Sequence, residues 1–378
     1  MFNPRTNSRI VVGAVAALVV ASGCTARSGG DVPSAGPQSL TSMQAGARPD
    51  KDVSILKQLK TQTVIGSALD PGNGARNPYG LAVAPATSGK LTAGDLVVCN
   101  FNSRSGQQGS GKSIVALHPT PGSTPLRITA NQTTLGCDAL ALSSNDTIWA
   151  ASMTANSNPV IDSRGKVIVN ISGKPFSQPW GQIFATPTSG PPAFYETNAA
   201  TGTVVRINLG SSFTYDVIAT NFPRNHGVPG TALAPSGLAY DASIDTLYFV
   251  DGKNNTLVAF KNVSQIPKGG IQAKDHGMKF AGPSAANASI VYAGAPLNGP
   301  ISTALLPNGN IVAGNTLDPD GSNLMVEIAP DGKLLDVRNV DTGPAGSIFG
   351  MVATGTSASN TKIYFNDDND TNVQVLEH

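Results

Sequence analysis

The chain has 378 residues, enough for one large all-β domain or two ordinary domains. Charged residues make up 13% of it, roughly half of the usual share, whereas it contains 41 Gly and 27 Pro. This composition is typical of a β protein with many turns and an uncharged polar surface. The formal net charge is +1, and it becomes −1 (23 basic against 24 acidic residues) once a segment with Arg5 and Arg9 is removed. A chain so close to neutral offers no cationic face, so nucleic acid is not an expected partner.

The first 24 residues have the pattern of an export signal. Arg5 and Arg9 precede an apolar run at residues 10–20, and Ala21-Ser22-Gly23-Cys24 follows it. A basic start, an apolar run of about a dozen residues and a small-residue end predict a signal peptide at residues 1–23. The run is too short to span a bilayer comfortably.

The end of this segment resembles a bacterial lipobox, which implies that Cys24 is lipidated. Ordinary cleavage nearby, with Cys24 incidental, is the alternative. Residues 24–60 are rich in Gly, Ser, Pro and Ala, and we expect a flexible tether there. The expected location is the cell envelope, on its periplasmic or extracellular face, with the lipid as the only membrane contact.

Residues 235–260 contain the clearest repeating unit. A turn and a short apolar strand at residues 235–240 are followed by strands at residues 246–251 and 256–260. Gly252-Lys253-Asn254-Asn255 separates the last two strands, and these residue types accept the backbone angles of a hairpin turn. One such unit cannot bury both faces of its sheet, so it needs copies of itself as neighbours.

Six such units follow one another between residues 61 and 378, at about 53 residues each. The last unit has three strands, and an unassigned strand-like segment, residues 62–66, precedes the first unit. If that segment pairs with residues 372–376, the ring closes and no sheet edge stays exposed. The sequence therefore predicts an all-β fold, a six-bladed β-propeller over residues 61–378 whose last blade is completed by an N-terminal strand.

Two units deviate from the simple repeat. In the second unit we identify strands at residues 138–142, 147–150 and 166–169. In the fourth unit an insertion delays the last strand, which we expect at residues 289–292.

Cys99 and Cys137 are the two cysteines that follow the export segment. Outside the cytoplasm such a pair tends to be oxidised. Cys99 ends the second strand of one blade and Cys137 begins the first strand of the next, and both strand ends point to the same rim. We predict a disulfide; the alternatives are two separate buried thiols, or metal binding without a nearby His.

The repeated pattern, seen in Pro235-Ser236-Gly237-Leu238-Ala239, resembles that of the NHL-repeat propellers and of the gluconolactonase-like six-bladed group. The resemblance covers residues 61–378 and implies a fold rather than an activity, because this fold hosts lactonases, lyases, ligand binders and interaction scaffolds. For the lactonases it implies a divalent metal on the channel, held by one Glu with Asn and Asp residues. Their Glu precedes a Pro in the first blade, where this sequence has Asn77 before Pro78.

In a propeller the loops between blades share one rim with the hairpins that join second and third strands. Polar groups from several blades converge there, and we expect this rim to bind a small molecule, a glycan or an envelope protein. The candidate ligand-binding residues are Gln178, Trp180, Glu196, Asn198, Asn298 and Asn315. Trp180 could stack on a sugar or another ring, or it could plug the channel.

Asp138, Asp251, Asn366 and Asp367 are the candidate ligands for Ca²⁺ or another divalent cation, because hard cations prefer oxygen ligands. Residues 366–370 hold three acids in five positions, which repel one another unless they are solvated or neutralised. The alternative is that Asn and Asp after a second strand satisfy backbone donors of the hairpin turn.

Two functional hypotheses follow. The first is a monomeric, non-catalytic, lipid-anchored propeller that binds its ligand at the rim. The second is a metal-dependent lactonase or hydrolase in which His226, in a long loop between blades, is the general base. The missing first-blade Glu favours binding, and so does the lack of a Gly-x-Ser-x-Gly motif or an evident Ser-His-Asp set.

Overall fold

The computed structural model describes residues 50–210 and 212–378, and in this part of the chain strands form six sheets. The predicted signal peptide, Cys24 and most of the predicted tether lie outside the described residues.

Each sheet is one blade of four main strands. Blade one consists of Arg76–Val83, Leu96–Asn102, Ser113–Leu117 and Leu126–Ala130; blade two of Cys137–Leu142, Ile148–Ser152, Ser157–Ile161 and Val167–Ser172; blade three of Pro179–Ala185, Ala193–Asn198, Thr203–Asn208 and Thr214–Thr220. Blade four consists of Pro235–Asp241, Thr246–Asp251, Thr256–Lys261 and Ala288–Ala293; blade five of Pro300–Leu305, Ile311–Asn315, Asn323–Ile328 and Leu334–Asp341; blade six of Met351–Thr354, Lys362–Asp367, Asn372–Glu377 and the N-terminal Thr61–Ser67.

The ring closes as predicted. Thr61–Ser67 pairs antiparallel with Asn372–Glu377, with Thr61 opposite Glu377 and Ser67 opposite Asn372. The first strand of the described region and the last one therefore share a sheet, which confirms the six-bladed propeller and its closure. This arrangement removes the exposed strand edges that the six units would otherwise present.

Blade two has a strand that the sequence analysis missed, Ser157–Ile161. It pairs with Ile148–Ser152 on one side and with Val167–Ser172 on the other. Pro159 lies in its middle, opposite Asn170, and a Pro argues against a central strand because it has no N–H for the ladder.

The insertion in blade four extends its neighbour. Ile271–Lys274 and Lys279–Ala281 form a small hairpin, and the first of these strands pairs in parallel with the outer strand of blade three. The outer strand of blade four, Ala288–Ala293, then follows, and it confirms the delayed strand expected at residues 289–292.

Apolar side chains fill the space between every pair of neighbouring blades. Between blades three and four, for example, Tyr195 and Val204 pack with Phe249 and Phe260, and all four are almost fully buried. Corresponding clusters lie at the other five junctions. Because a blade is covered by its neighbours on both faces, its inner strands are continuously apolar rather than alternating.

Neighbouring blades are also joined by individual side-chain bonds. In three blades the bond comes from the same position of the second strand, the residue after the one that pairs with Leu81, Gln182 or Met351. At this position in blade one Cys99 forms a disulfide with Cys137 of blade two, with Cα atoms 5.6 Å apart, as predicted. In blade three Thr197 Oγ1 donates to the Ser236 carbonyl of blade four at 3.1 Å. In blade six Asn366 Nδ2 donates to the carbonyl of Tyr79 in blade one at 2.9 Å.

The segment before the first strand packs against blade five. Leu56–Gln58 forms a 3-10 helix, and the buried Glu327 carboxylate accepts hydrogen bonds from Ser54 Oγ at 2.6 Å and from the backbone N–H groups of Ile55 and Leu56 at 3.1 and 2.8 Å. Ile55, Leu56 and Leu59 are buried among apolar residues of blades five and six. This end of the predicted tether is therefore part of the described fold.

The remaining helices are single 3-10 turns at Gln132–Thr134, Val263–Gln265, Ala285–Asn287 and Ala358–Asn360. Within the described ranges, no helix has the length and the apolar character needed to cross a membrane.

Candidate functional site

The inner strand of each blade begins with a short motif that shapes the channel. Its first position is Pro in four blades, and its second residue lines the channel in every blade except blade four. The third position carries a small residue. In chain order the motifs are Pro78-Tyr79-Gly80-Leu81, Cys137-Asp138-Ala139-Leu140, Pro179-Trp180-Gly181-Gln182, Pro235-Ser236-Gly237-Leu238, Pro300-Ile301-Ser302-Thr303 and Ile348-Phe349-Gly350-Met351.

The small third residues allow the inner strands to approach one another closely. A Cβ on Gly80 would lie 2.8 Å from the Ala139 backbone, and one on Gly350 would overlap the Tyr79 carbonyl oxygen. Gly is needed here for close backbone approach rather than for a turn. The channel that results is a cavity of about 60 Å³ lined by all six blades.

Apolar rings close the mouth of this channel. Tyr79 is stacked between Phe101 and Phe349, with ring centroids 4.1 and 3.5 Å away, and Trp180 and Ile301 complete the cluster. Trp180 is 4% exposed, so in this structure it lies in the plug rather than at a surface for stacking.

Asp138 is the one acid at the second motif position. It is 3% exposed, and neither of its carboxylate oxygens has a hydrogen-bond partner in the described structure. Burial, with a further contribution from the nearby Glu196 carboxyl, raises the pKa of Asp138 well above its ordinary range. A carboxyl in this environment favours the protonated form.

Glu196 belongs to a buried polar cluster between blades two and three. Gln182 Nε2 donates to Glu196 Oε2 at 3.0 Å and to Asn158 Oδ1 at 2.5 Å. Burial raises the pKa of Glu196 to about 8, and the amide hydrogen bonds only partly oppose this. Glu196 Oε1 and Gln182 Oε1 are buried without a hydrogen-bond partner in the described structure. The cluster therefore combines two acids of raised pKa with several unused hydrogen-bonding atoms.

A third acid of raised pKa, Asp368, lies near Tyr79 of the plug. Burial and the neighbouring Asp367 raise the pKa of Asp368 to about 8. When the Asn77 amide is oriented so that both its nitrogen and its oxygen are hydrogen-bonded, Asn77 donates to Asp368 and accepts from Asn102 Nδ2 at 2.8 Å. Asn77 occupies the place at which the lactonase resemblance would require a Glu, and Asp368 of blade six lies beside it.

The structure does not bring the four predicted metal ligands together. Asp251 Oδ1 accepts from the backbone N–H of Lys253 at 3.0 Å, and burial raises the pKa of Asp251 to about 7. Asp367 accepts from Ser347 Oγ and Gln374 Nε2, and Asn366 bonds blade one. Among the residues described, no group of three or more His, Cys, Asp or Glu is placed to hold a metal ion. Within the described residues the predicted acids thus form no shared cluster, and Asp251 accepts from its hairpin backbone as the turn interpretation expects.

The predicted ligand-binding asparagines also take part in structural bonds. Asn198 Oδ1 accepts from the Ser177 N–H at 2.8 Å, and Asn315 Nδ2 donates to the Pro296 carbonyl at 2.6 Å. Asn298 Nδ2 donates to Asp318 at 2.7 Å. Gln178 has a left-handed backbone (φ 50°) and its N–H donates to Asn156.

His226 lies on an exposed loop, with φ 56°, and its ring forms no hydrogen bond with the described residues. Sequence reasoning missed Asn158 and Gln182, and it noted Asp368 only as one of the three acids at residues 366–370. Gln182 carried a signal, because the equivalent position holds Leu in three of the other blades and Met or Thr in the remaining two.

Comparison with solved structures finds other six-bladed propellers. Selenomethionine-substituted virginiamycin B lyase from Staphylococcus aureus matches with a TM-score of 0.50 at 15% identity, over 84% of this chain and 99% of the lyase. The nidogen/laminin complex matches with a TM-score of 0.53 at 13% identity, over 78% and 98% of the two chains. Regucalcin from Agrobacterium tumefaciens, a calcium-binding protein, matches with a TM-score of 0.50 at 16% identity, over 83% and 94%.

At such low identities the likeness shows the fold alone. The predicted resemblance to NHL-repeat and gluconolactonase-like propellers is thus confirmed at the level of the fold. No protein-family model matches the sequence, and no curated protein matches it either.

Proposed function

We propose that this chain is an exported, lipid-anchored propeller that binds a glycan or a protein of the cell envelope on its rim without catalysing a reaction. The observation that carries this proposal is the narrow channel, whose mouth on this rim is filled by apolar rings. A cavity of about 60 Å³ holds a few water molecules. Organic ligands occupy sites of about 300–1,000 Å³. A partner must therefore contact the rim loops, outside the plug formed by Tyr79, Phe101 and Phe349.

The hydrogen bonds that the polar side chains already make support the same proposal. Of the residues predicted to carry chemistry, Asn198, Asn315, Asn366 and Asp367 are engaged in bonds that hold loops and blades together. A catalytic group needs a reacting atom within hydrogen-bond reach. Side chains already committed to structural bonds do not offer this.

Rim binding can be tested with a matched pair of exposed apolar residues. Val228, 66% exposed, lies on the loop between blades three and four at the rim, and Ile244, 49% exposed, lies in a hairpin at the opposite face. The chain from residue 25 onward is applied to an array of bacterial envelope glycans and to immobilised envelope proteins. We expect Val228→Asp to reduce the captured signal and Ile244→Asp to leave it unchanged. Equal signals from both variants would contradict rim binding.

Export and lipidation require a separate test, because the residues concerned lie outside the described structure. Cells producing the full chain are labelled with radioactive palmitate and fractionated. The wild type should carry label and sediment with membranes, and Cys24→Ser should carry none. Equal labelling of both proteins would overturn the lipid anchor and leave rim binding untouched.

A lactone hydrolase is the second candidate, favoured by the Asp138 and Glu196 carboxyls beside the channel. A general acid or base works best with a pKa near the operating pH, and burial has moved Glu196 into that range. Hydrolysis of a lactone panel is measured with and without Ca²⁺. Turnover that is lost in both Asp138→Asn and Glu196→Gln would replace the binding proposal with this one.

A further inference from the structure

A second cavity lies on the rim of blade one, away from the channel. It has a volume of about 210 Å³ and is formed by two loops. One loop enters blade one at residues 68–75, and the other is the hairpin of residues 103–112 between its second and third strands. The lining residues are Asn73, Ala75, Ser103, Arg104, Ser105, Ser110, Gly111 and Lys112.

The charge of this cavity is unbalanced. Arg104 and Lys112 both line it, and neither forms an ion pair with a carboxylate in the part of the chain described. The hairpin of residues 103–112 contains no acid, and the entering loop contains only Asp70. Asp70 is already bound by Arg127, with nitrogen–oxygen distances of 2.7–3.0 Å. Two cations thus share one cavity without a counter-charge, an arrangement that an anion would relieve.

The wall of the cavity adds hydroxyl groups to these two charges. Ser110 Oγ donates to Ser103 Oγ at 2.7 Å, and the Ser103 and Ser105 hydroxyls are 2.9 Å apart. Ser110 Oγ also accepts from the Ser103 N–H, which fixes the two sides of the hairpin together. The Gln107 carbonyl, 2.6 Å from Ser110 Oγ, competes for the single hydrogen of that hydroxyl, so the Ser103 and Ser105 hydroxyls are the ones that can rotate toward a bound anion.

Arg104 is held in place by packing rather than by charge. A Cβ on Gly74 would lie 3.1 Å from both Arg104 Cγ and Cδ, so the stem of the arginine lies directly over this glycine. Gly74 has φ +71°, a conformation that suits glycine. The contact restricts the stem of Arg104, an exposed side chain, and leaves its guanidinium without an ion pair at the wall of the cavity.

We propose that this cavity is an anion site that binds a phosphate group carried by an external ligand. A guanidinium, an ammonium and several hydroxyls match the charge and the many acceptor oxygens of a phosphate monoester better than those of a carboxylate. The volume is below that of sites that enclose a whole organic ligand, so the cavity takes the charged end and leaves the rest of the molecule outside. The site is separate from the channel and does not depend on whether the chain catalyses a reaction.

Calorimetric titration of the chain from residue 25 onward, at low ionic strength, tests the proposal. The probes are inorganic phosphate, glucose 6-phosphate, acetate, and vesicles of phosphatidylcholine with and without phosphatidic acid. Both soluble phosphates should bind, and acetate should bind about tenfold more weakly or not at all. Tighter binding of glucose 6-phosphate than of phosphate identifies a sugar phosphate as the source, and binding only to the phosphatidic acid vesicles identifies a lipid headgroup.

Arg104→Gln and Lys112→Gln should each weaken phosphate binding about tenfold, because each removes a charge-assisted hydrogen bond. Lys253→Gln is the control: Lys253 is an exposed rim lysine in the hairpin of blade four, and its removal changes the net charge equally. Ser110→Ala should weaken binding without any change in charge. Failure of every phosphate probe to bind would overturn the proposal, as would equal binding of acetate or equal weakening by Lys253→Gln.

Discussion

Replacing Glu196 by Gln should make the protein more stable at alkaline pH. The ordinary pKa of this carboxyl is 4.5, and burial raises it to about 8 in the folded chain. At pH values between 4.5 and about 8, the Glu196 carboxyl keeps its proton in the folded chain and has released it in the unfolded chain. The free energy of unfolding of the wild type therefore falls as pH rises, by about 1.4 kcal/mol per pH unit from this group, and levels off above pH 8.

Over the whole interval the loss from Glu196 amounts to about 5 kcal/mol. Gln is close in shape to the protonated acid and keeps the amide hydrogen bond with Gln182, but it has no proton to lose. Glu196→Gln should thus match the wild type near pH 5 and exceed it by several kcal/mol at pH 8. Urea unfolding followed by tryptophan fluorescence, in steps from pH 5 to pH 8, measures the difference directly.

Asp138 contributes a slope of the same sign, since burial raises its pKa also. This slope persists in Glu196→Gln, because below pH 8 Glu196 is protonated in the folded chain and the substitution removes no charge beside Asp138. Asp275→Asn is the control: it removes an exposed carboxyl whose pKa is lowered by Lys279. It should leave the steep fall in stability intact. Identical slopes in the wild type and Glu196→Gln would refute the reasoning, as would a variant that is less stable at pH 8.

Three further outcomes follow from the contacts described. Cys99→Ser opens a covalent loop of 38 residues and should lower the free energy of unfolding, measured in urea, by about 4 kcal/mol. Under reducing conditions, which open the same loop in the wild type, the variant and the wild type should be equally stable. Glu327→Ala removes the acceptor for the Ser54 hydroxyl and for the backbone N–H groups of Ile55 and Leu56, at a cost of about 3 kcal/mol. The amide hydrogens of Ile55 and Leu56 should therefore exchange faster, and unchanged exchange would contradict the packing of this segment on Glu327. Gly350→Ala should cost more than about 2 kcal/mol, because its Cβ overlaps a backbone oxygen, whereas Gly210→Ala, with no atom closer than 3.6 Å, should cost little; equal melting temperatures would disprove the close approach of the inner strands.

The closure of the ring was predictable because its signals are local. The strand-like segment at residues 62–66 and the three-stranded last unit are both visible in the sequence, and exposed edges supply the physical reason to pair them. The disulfide was predictable for a related reason. Cys99 and Cys137 stand at the ends of strands that the repeat assigns to the same rim, and their Cα atoms are 5.6 Å apart.

The polar cluster between blades two and three was not predictable in the same way. It needs Asn158, from a strand hidden by Pro159, to face Gln182 and Glu196 of the next blade. The packing of Leu56 onto Glu327 likewise joins positions that are 271 residues apart. Such contacts depend on which side chains face each other across a junction, and a repeat pattern does not specify this.

The side-chain bonds between neighbouring blades explain why a polar residue near a propeller channel is weak evidence for a function. One position of the second strand holds Cys99 in blade one, Thr197 in blade three and Asn366 in blade six, and each side chain ties its blade to the next by a different bond. Their chemistry differs while their structural role is shared. The informative groups are instead those whose bonding capacity or charge the fold leaves unused. In the described structure such groups include the carboxyls of Asp138 and Glu196 and the two unpaired cations on the rim of blade one.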